Sequence, residues 1–229
     1  MMQFHRFENS AALNSNFAKR LIDLLEAGIA ERGHAYLAVS GGRTPQALFS
    51  HLAGTELPWS KVTITLADDR WLAPDAKDSN ERLVKSVLLQ DKASAAHFIS
   101  LVTTDERAED GADAINKRLA VIPTFDAVIL GMGEDGHTAS LFPCSQELAE
   151  GLTIAQDALA VNPTTAPYQR MSLSKQRLLN TRHLFLHLVG AGKLPVLNQA
   201  VAGDDVMQMP IRAFLHHPCV DIQVMFASE

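Results

Sequence analysis

The chain contains an apolar run that ends in a glycine-rich turn, FDAVILGMGEDGH at residues 125–137. The almost unbroken apolar character of residues 125–130 is typical of a strand that is buried on both faces of a sheet. Directly after it come a carboxylate, Asp135, and an imidazole, His137, among glycines that let the backbone approach a ligand. Such groups transfer protons or orient the groups that do. The stretch therefore predicts a buried strand with reactive side chains at its end.

Similar apolar runs recur along the chain and alternate with segments of helical periodicity. Apolar residues at spacings of three and four predict a helix over residues 10–31, which Asn9 or Ser10 caps. Thr103 and Glu106 fit a capping box at the start of another helix. The predicted strands are 36–39, 62–66, 98–101, 125–130, 171–173, 184–189 and 222–226, the other predicted helices are 45–52, 80–89 and about 105–121, and 155–169 is a predicted loop.

This alternation predicts the α/β fold class. Parallel strands joined by right-handed crossovers form a doubly wound, mostly parallel sheet with helices on both faces. With 229 residues and 47% hydrophobic content, we expect one α/β domain over residues 1–229. The ligand site of such a sheet lies at the carboxyl ends of its strands.

Charge and cysteine content narrow the classes of partner. The formal net charge of −6 disfavours nonspecific binding to nucleic acid or to anionic membranes. No apolar stretch approaches the roughly 20 residues that span a bilayer, and residues 1–8 contain no apolar signal segment. Cys144 and Cys219 stand alone, which gives neither a metal-ligand spacing nor a disulfide framework. These observations predict a cytoplasmic protein with a small-molecule substrate.

Two motifs follow predicted strands in the first third of the chain. The first, SGGRTP at residues 40–45, joins a glycine turn to a helix whose free N–H groups suit a phosphate. The alternative is an ordinary loop with a Thr44 cap. The second, ADDRW at residues 67–71, offers Arg70 as a phosphate clamp and two carboxylates, one of which is suited to orient either a substrate hydroxyl or the arginine. The alternative there is a solvated turn with local salt bridges.

The glycine turn at residues 131–136 also matches the G-x-G-x-x-G pattern of dinucleotide-binding loops. Glu134 and Asp135 would place negative charge where a pyrophosphate has to bind. Pro143 would shorten the helix that has to follow. The pattern therefore favours a catalytic turn over a dinucleotide site.

The last third of the chain adds basic residues beside two predicted strands. Arg170 precedes one strand, and Lys193 follows the strand at 184–189 in the sequence GAGK, where it is suited to neutralise a phosphate. The GAGK segment is too short for the phosphate loop of ATPases. His183 and His187 are four residues apart, but they lie in a predicted strand, which disfavours a shared metal site.

Together these motifs resemble the 6-phosphogluconolactonase family almost from end to end. The most specific match is GMGEDGHTASLFP at residues 131–143, whose part after the histidine is typical of lactonases rather than of the related glucosamine-6-phosphate deaminases. Asp69 departs from the family, which usually has glutamate there. The other matching segments are VSGGRTP at 39–45, DDRW at 68–71, DSN at 78–80, RMSL at 170–173 and GAGK at 190–193.

The resemblance implies the Rossmann-like fold of glucosamine-6-phosphate deaminase and ribose-5-phosphate isomerase. It also implies hydrolysis of 6-phospho-D-glucono-1,5-lactone in the oxidative pentose phosphate pathway, with no metal and no cofactor. In that reaction His137 would take a proton from the attacking water and return it to the ring oxygen. The implied catalytic residues are His137, Asp135 and Asp68, and the implied substrate-binding residues are Ser40, Gly41, Gly42, Thr44, Arg70, Gly133, Arg170 and Lys193.

Two other functions stay open at this point. One is a sugar-phosphate deaminase or isomerase on the same fold, with Asp68 or Asp69 as the base. The other is a non-catalytic sugar-phosphate binding module, which the lack of a DNA-binding segment or basic tail disfavours. We expect a monomer or a small homo-oligomer that binds neither nucleic acid nor membrane.

Overall fold

The computed structural model describes residues 1–229, which form ten strands and eight α-helices. The strands are β1 (Met2–Phe7), β2 (Ala35–Val39), β3 (Val62–Leu66), β4 (Asp68–Arg70), β5 (His97–Ile99), β6 (Ala127–Leu130), β7 (Ala158–Val161), β8 (Arg170–Leu173), β9 (Leu184–Val189) and β10 (Ile222–Ala227). The α-helices are α1 (Ser10–Arg32), α2 (Gln46–Ala53), α3 (Asn80–Leu83), α4 (Ala108–Leu119), α5 (Leu148–Thr153), α6 (Lys175–Leu179), α7 (Lys193–Ala202) and α8 (Arg212–Leu215).

Seven strands form one parallel sheet in the order β1-β10-β9-β6-β2-β3-β5. The residues of β3, β6 and β10 are all buried, so the middle of the sheet is covered on both faces. A continuous core of 55 buried residues surrounds it. Within that core, Phe17 of α1 packs on Phe185 of β9 with ring centroids 4.9 Å apart. The predicted fold class, α/β with a doubly wound and mostly parallel sheet, is confirmed.

A second, antiparallel sheet of three strands lies beside the first, in the order β4-β8-β7. Its register pairs Arg70 with Arg170 and Asp68 with Ser172. Only one residue separates β4 from β3, so the chain passes directly from the large sheet into the small one. The small sheet therefore carries Asp68, Arg70 and Arg170 to the carboxyl ends of the large sheet's strands.

Several elements follow the sequence prediction closely. β3 and β9 occupy the predicted residues 62–66 and 184–189, and α1 begins at Ser10. The Asn9 side chain caps α1 by accepting a hydrogen bond from the Ala12 amide at 2.9 Å. The helix predicted over 80–89 is α3 followed by a π-helical turn.

Two predicted segments are wrong. The helix predicted from residue 105 begins at Ala108, because the Thr103 hydroxyl bonds to Asp105 two residues away instead of capping the helix. The loop predicted over 155–169 contains β7, whose four residues are stabilised by pairing with β8. The sequence pattern does not predict strands β1 and β4, since both owe their conformation to neighbouring strands.

Candidate active site

A cavity of about 210 Å³ opens at the carboxyl ends of β2, β6 and β9. His137 and Asp68 line it, whereas Asp135 lies behind the His137 ring. The structure thus brings every predicted site residue to one place. The predicted substrate-binding residues on its wall are Ser40, Gly41, Gly42, Thr44, Arg70, Gly133, Arg170 and Lys193.

The His137 imidazole is confined from three directions. Its Nδ1 lies 2.6 Å from Asp135 Oδ1. Phe142 stacks on one side of the ring, with centroids 4.2 Å apart and planes inclined by 27°. The Gly133 backbone lies against the ring, because a Cβ placed on Gly133 would come 2.2 Å from both Cε1 and Nδ1. Since Nδ1 is engaged, Nε2 is the ring atom left to meet a ligand.

Asp135 sets the tautomer of this ring. Partial burial raises the pKa of the carboxyl, but hydrogen bonds from the ring and backbone of His137 lower it by a larger amount. The pKa of Asp135 therefore lies below its ordinary value. An ionised Asp135 only accepts hydrogen bonds, so the hydrogen of neutral His137 resides on Nδ1. Nε2 then carries the lone pair, and the imidazole is oriented to act as a base.

Asp68 is held by groups from two other segments. Its Oδ2 accepts a hydrogen bond from the Ser140 hydroxyl at 2.6 Å and lies 3.8 Å from Arg170 Nη1. The Ser140 amide in turn donates to the Ser172 hydroxyl of β8 at 3.1 Å. These fully buried serines join the segment after the glycine turn at 131–136 to the small sheet. Asp68 therefore has a fixed carboxylate on the cavity wall.

Asp69 lies outside the cavity and has a structural role. It is fully buried, and its carboxylate accepts hydrogen bonds from the backbone amides of Arg70, Asn80 and Glu81. Burial raises the pKa of Asp69 to about 6, although these hydrogen bonds oppose the rise. Asp69 thus ties the start of α3 to β4, and Asp68 is the carboxylate of the pair that faces the cavity.

The loop after β2 presents a row of unpaired amides to the cavity. The N–H groups of Gly41, Gly42, Arg43 and Thr44 donate no hydrogen bond within the chain. Gly42 has φ of +95°, a conformation that glycine adopts without strain. The Ser40 hydroxyl donates to the Ile129 carbonyl of β6 at 2.9 Å and so fixes the start of the loop. Successive free amides before a helix form an anion-binding concavity.

Four cationic side chains surround the same space. Lys193 Nζ donates to the Met132 carbonyl at 2.9 Å, and Arg70 Nη1 donates to the Asp78 carbonyl at 2.7 Å. Arg170 is buried, and its guanidinium donates twice to the Pro167 carbonyl. Each keeps at least one further donor, which is available to an anionic ligand. The fourth cation is Arg43 of the loop.

Sequence reasoning assigned no role to several residues of the cavity wall. Arg43 and Asn80 lie within the motifs at 40–45 and 78–80, so the neighbouring residues already indicated their place at the cavity. Thr138 donates to the Gly131 carbonyl at 2.8 Å and stabilises the glycine turn at 131–136. For His187 the sequence suggests no role beyond the disfavoured metal pair with His183. It is buried, its ring nitrogens have no hydrogen-bond partner, and burial lowers its pKa to about 4.

The structure shows neither a cluster of metal-binding side chains nor a membrane-spanning helix. No group of three or more His, Cys, Asp or Glu side chains is arranged to hold a metal ion. None of the helices combines the length and the apolar character needed to cross a membrane. Cys144 and Cys219 are both free thiols.

The sequence is similar to known proteins over almost its whole length. A family model described as glucosamine-6-phosphate isomerases/6-phosphogluconolactonase matches residues 8–222. A 6-phosphogluconolactonase of Rhizobium meliloti (strain 1021) is 42% identical over 226 residues, which cover 97% of this chain and 97% of the relative. Both matches run through every segment that forms the cavity.

Solved structures extend the comparison to the fold. A crystal structure of a 6-phosphogluconolactonase from Shewanella baltica OS155 has a TM-score of 0.98 and 46% identity, and covers 99% of this chain and 98% of that chain. A monomeric glucosamine-6-phosphate deaminase has a TM-score of 0.79 at 15% identity, covering 99% of this chain and 97% of its own. At this identity the likeness to the deaminase shows a common fold and nothing more.

Proposed function

Because the chain belongs to the family of glucosamine-6-phosphate isomerases and 6-phosphogluconolactonases, we propose that it hydrolyses 6-phospho-D-glucono-1,5-lactone to 6-phosphogluconate. The chain is an enzyme of carbohydrate metabolism, and this reaction belongs to the oxidative pentose phosphate pathway. One observation above all supports the proposal. A histidine oriented by a carboxylate faces a cavity whose wall also carries four cationic side chains and a row of free amides.

His137 is the proposed general base and acid. Nε2 takes a proton from water as the water oxygen bonds to C1 of the lactone and forms a tetrahedral intermediate. The C1–O5 bond then breaks, and the imidazolium returns the proton to O5, which becomes the C5 hydroxyl. Asp135 stabilises the imidazolium between the two steps through its contact with Nδ1. These steps require no metal and no cofactor.

The oxyanion of the tetrahedral intermediate needs hydrogen-bond donors close to His137. Gly131, Met132 and Ala139 line the cavity, and their N–H groups donate no hydrogen bond within the chain. Ala139 has φ of +49°, an uncommon conformation for a residue other than glycine. Strained backbone of this kind is often retained at functional sites. We assign the oxyanion to this set of amides.

The 6-phosphate is proposed to bind at the loop after β2. The free amides of Gly41 to Thr44 and the ammonium of Lys193 offer fixed donors to its oxygens. Arg70 and Arg170 add positive charge on the small sheet. Asp68 is suited to orient a substrate hydroxyl, because its carboxylate is fixed by Ser140.

Two assays test the proposed function. Purified protein is added to freshly prepared 6-phosphogluconolactone, and acid release is followed against spontaneous hydrolysis. In parallel, ammonia release from glucosamine 6-phosphate is measured. Fast lactone hydrolysis without ammonia supports the proposal, whereas ammonia release without lactone hydrolysis identifies a deaminase. Lactone-phosphate binding without turnover in either assay identifies a binding module.

The cytoplasm is the proposed compartment, and a monomer or small homo-oligomer the proposed state. Two cysteines without a partner suit a reducing compartment. The cavity wall is complete within one chain, so a single copy contains every group that the proposed mechanism uses. Sedimentation of the purified protein measures the oligomeric state.

A further inference from the structure

Asn80 is a buried side chain whose oxygen faces the cavity without a donor. The residue is 5% exposed and lies on the cavity wall. Its Nδ2 donates to the Asp68 carbonyl at 3.1 Å, which fixes the orientation of the amide. No group of the chain donates to Oδ1. The atom is not sealed in the interior, so it is accessible from the cavity. An oxygen that opens on the cavity in this way accepts its hydrogen bond from the ligand or from water.

The backbone around Asn80 is held rigidly. Asp69 accepts hydrogen bonds from the amides of Asn80 at 2.7 Å and Glu81 at 3.0 Å. The Ser79 hydroxyl caps α3 by accepting from the Arg82 amide at 3.1 Å. The Asn80 amide is therefore preorganised before a ligand arrives, as binding groups with high discrimination are.

Asn80 Oδ1 touches the loop that is proposed to bind phosphate. A Cβ placed on Gly41 would come 2.0 Å from Oδ1, so the two residues are in direct contact. An amide oxygen has no hydrogen to donate and repels phosphate oxygens. Its ligand partner is therefore an O–H group that lies close to the phosphate.

We infer that Asn80 Oδ1 accepts a hydrogen bond from the C4 hydroxyl of the lactone, an inference that rests on the proposed function. The phosphate is borne by C6, and C5 branches to the ring oxygen and to C4. The ring oxygen leads to C1, which has to reach His137 rather than the phosphate loop. C4 then carries the hydroxyl that is nearest to the phosphate loop. Asn80 is thus a specificity-determining residue.

The test compares 6-phosphogluconolactone with its 4-deoxy analogue. The wild-type enzyme is expected to have a kcat/KM about 10- to 100-fold lower for the analogue, because Oδ1 then loses its only donor. In Asn80→Ala the kcat/KM values of the two substrates are expected to differ by less than about threefold, since the oxygen that accepts the hydrogen bond is gone. Equal kcat/KM values in the wild-type enzyme would overturn the inference, whatever the stability of the variant.

Asn80→Asp serves as the matched variant. It keeps an oxygen at this position but adds a negative charge beside the phosphate loop, so KM is expected to rise for both substrates. Because a carboxylate also lacks the Nδ2–H group that donates to the Asp68 carbonyl, the ratio between the substrates is expected to lie between the wild-type and Asn80→Ala values. A wild-type ratio in Asn80→Ala would overturn the assignment to this residue. Absence of lactone turnover in the wild-type enzyme would instead refute the proposed function, which separates the two failures.

Discussion

Gly133→Ala tests how the structure positions the proposed base. The new Cβ would lie 2.2 Å from Cε1 and Nδ1 of His137 and 2.8 Å from Asp135 Oδ1. Carbon atoms essentially never approach this closely, so the ring has to move by roughly 1 Å to regain ordinary contact. Phe142 stacks on the imidazole with ring centroids 4.2 Å apart and limits the ways in which the ring can move. The ring is therefore expected to tilt and to lose its contact with Asp135.

A displacement of this size is expected to lower kcat by about 10²-fold, which corresponds to ~3 kcal/mol of the activation barrier. The fold is expected to persist, because φ of Gly133 is not positive and the His137 ring lies partly in solvent. KM is expected to change little, since the phosphate loop is untouched. Initial rates with fresh lactone, corrected for spontaneous hydrolysis, give both constants.

Gly192→Ala is the matched control for this variant. A Cβ there meets no atom within 4 Å, and the residue has φ of −65°, which alanine adopts freely. Its kcat is expected to stay within about twofold of the wild-type value. Wild-type kcat in Gly133→Ala, with normal thermal unfolding, would refute the claim that the imidazole has to lie on the Gly133 backbone.

Three further predictions use other contacts of the site. Gly41→Ala forces the loop away from Asn80 Oδ1 and is expected to raise KM for the lactone about tenfold; an unchanged KM in initial-rate measurements contradicts this. Asp135→Asn removes the charge that fixes the His137 tautomer and is expected to lower kcat about 10²-fold, whereas a kcat within threefold of wild type contradicts this. Burial lowers the pKa of His187 to about 4 in the folded protein. As the pH falls, His187 is therefore protonated in the unfolded chain before it is protonated in the folded protein. The contribution of neutral His187 to the free energy of unfolding is fully present above pH 6.5, and ~3 kcal/mol of it is lost as the pH falls towards 4. Urea unfolding of His187→Leu at both pH values is expected to lack that loss, and an equal pH dependence in the two proteins contradicts the assignment.

The central sheet was predictable because its strands are buried on both faces. Continuous apolar runs such as 62–66 and 184–189 have few alternatives to a buried strand, and the structure places strands there. The cavity was predictable for a related reason. Parallel strands end at one edge of the sheet, so the motifs at 40–45 and 131–137 had to meet there.

Contacts between distant segments were not predictable from local pattern. The pairing of Arg70 with Arg170 depends on the antiparallel register of the small sheet, and residues 155–169 contained too short an apolar run to reveal β7. The roles of Asn80 and Phe142 depend on tertiary contacts with Gly41 and His137. The sequence contains these residues within recognisable motifs but gives no distance between them.

The most direct test of the mechanism is the rate of lactone hydrolysis by His137→Ala. Its kcat on fresh 6-phosphogluconolactone, after subtraction of spontaneous hydrolysis, is expected to be about 10²-fold or more below the wild-type value. Thermal unfolding and affinity for 6-phosphogluconate are expected to stay close to wild type, since the phosphate loop is intact. Enzyme-dependent turnover near the wild-type rate would contradict the assignment of His137 as the base.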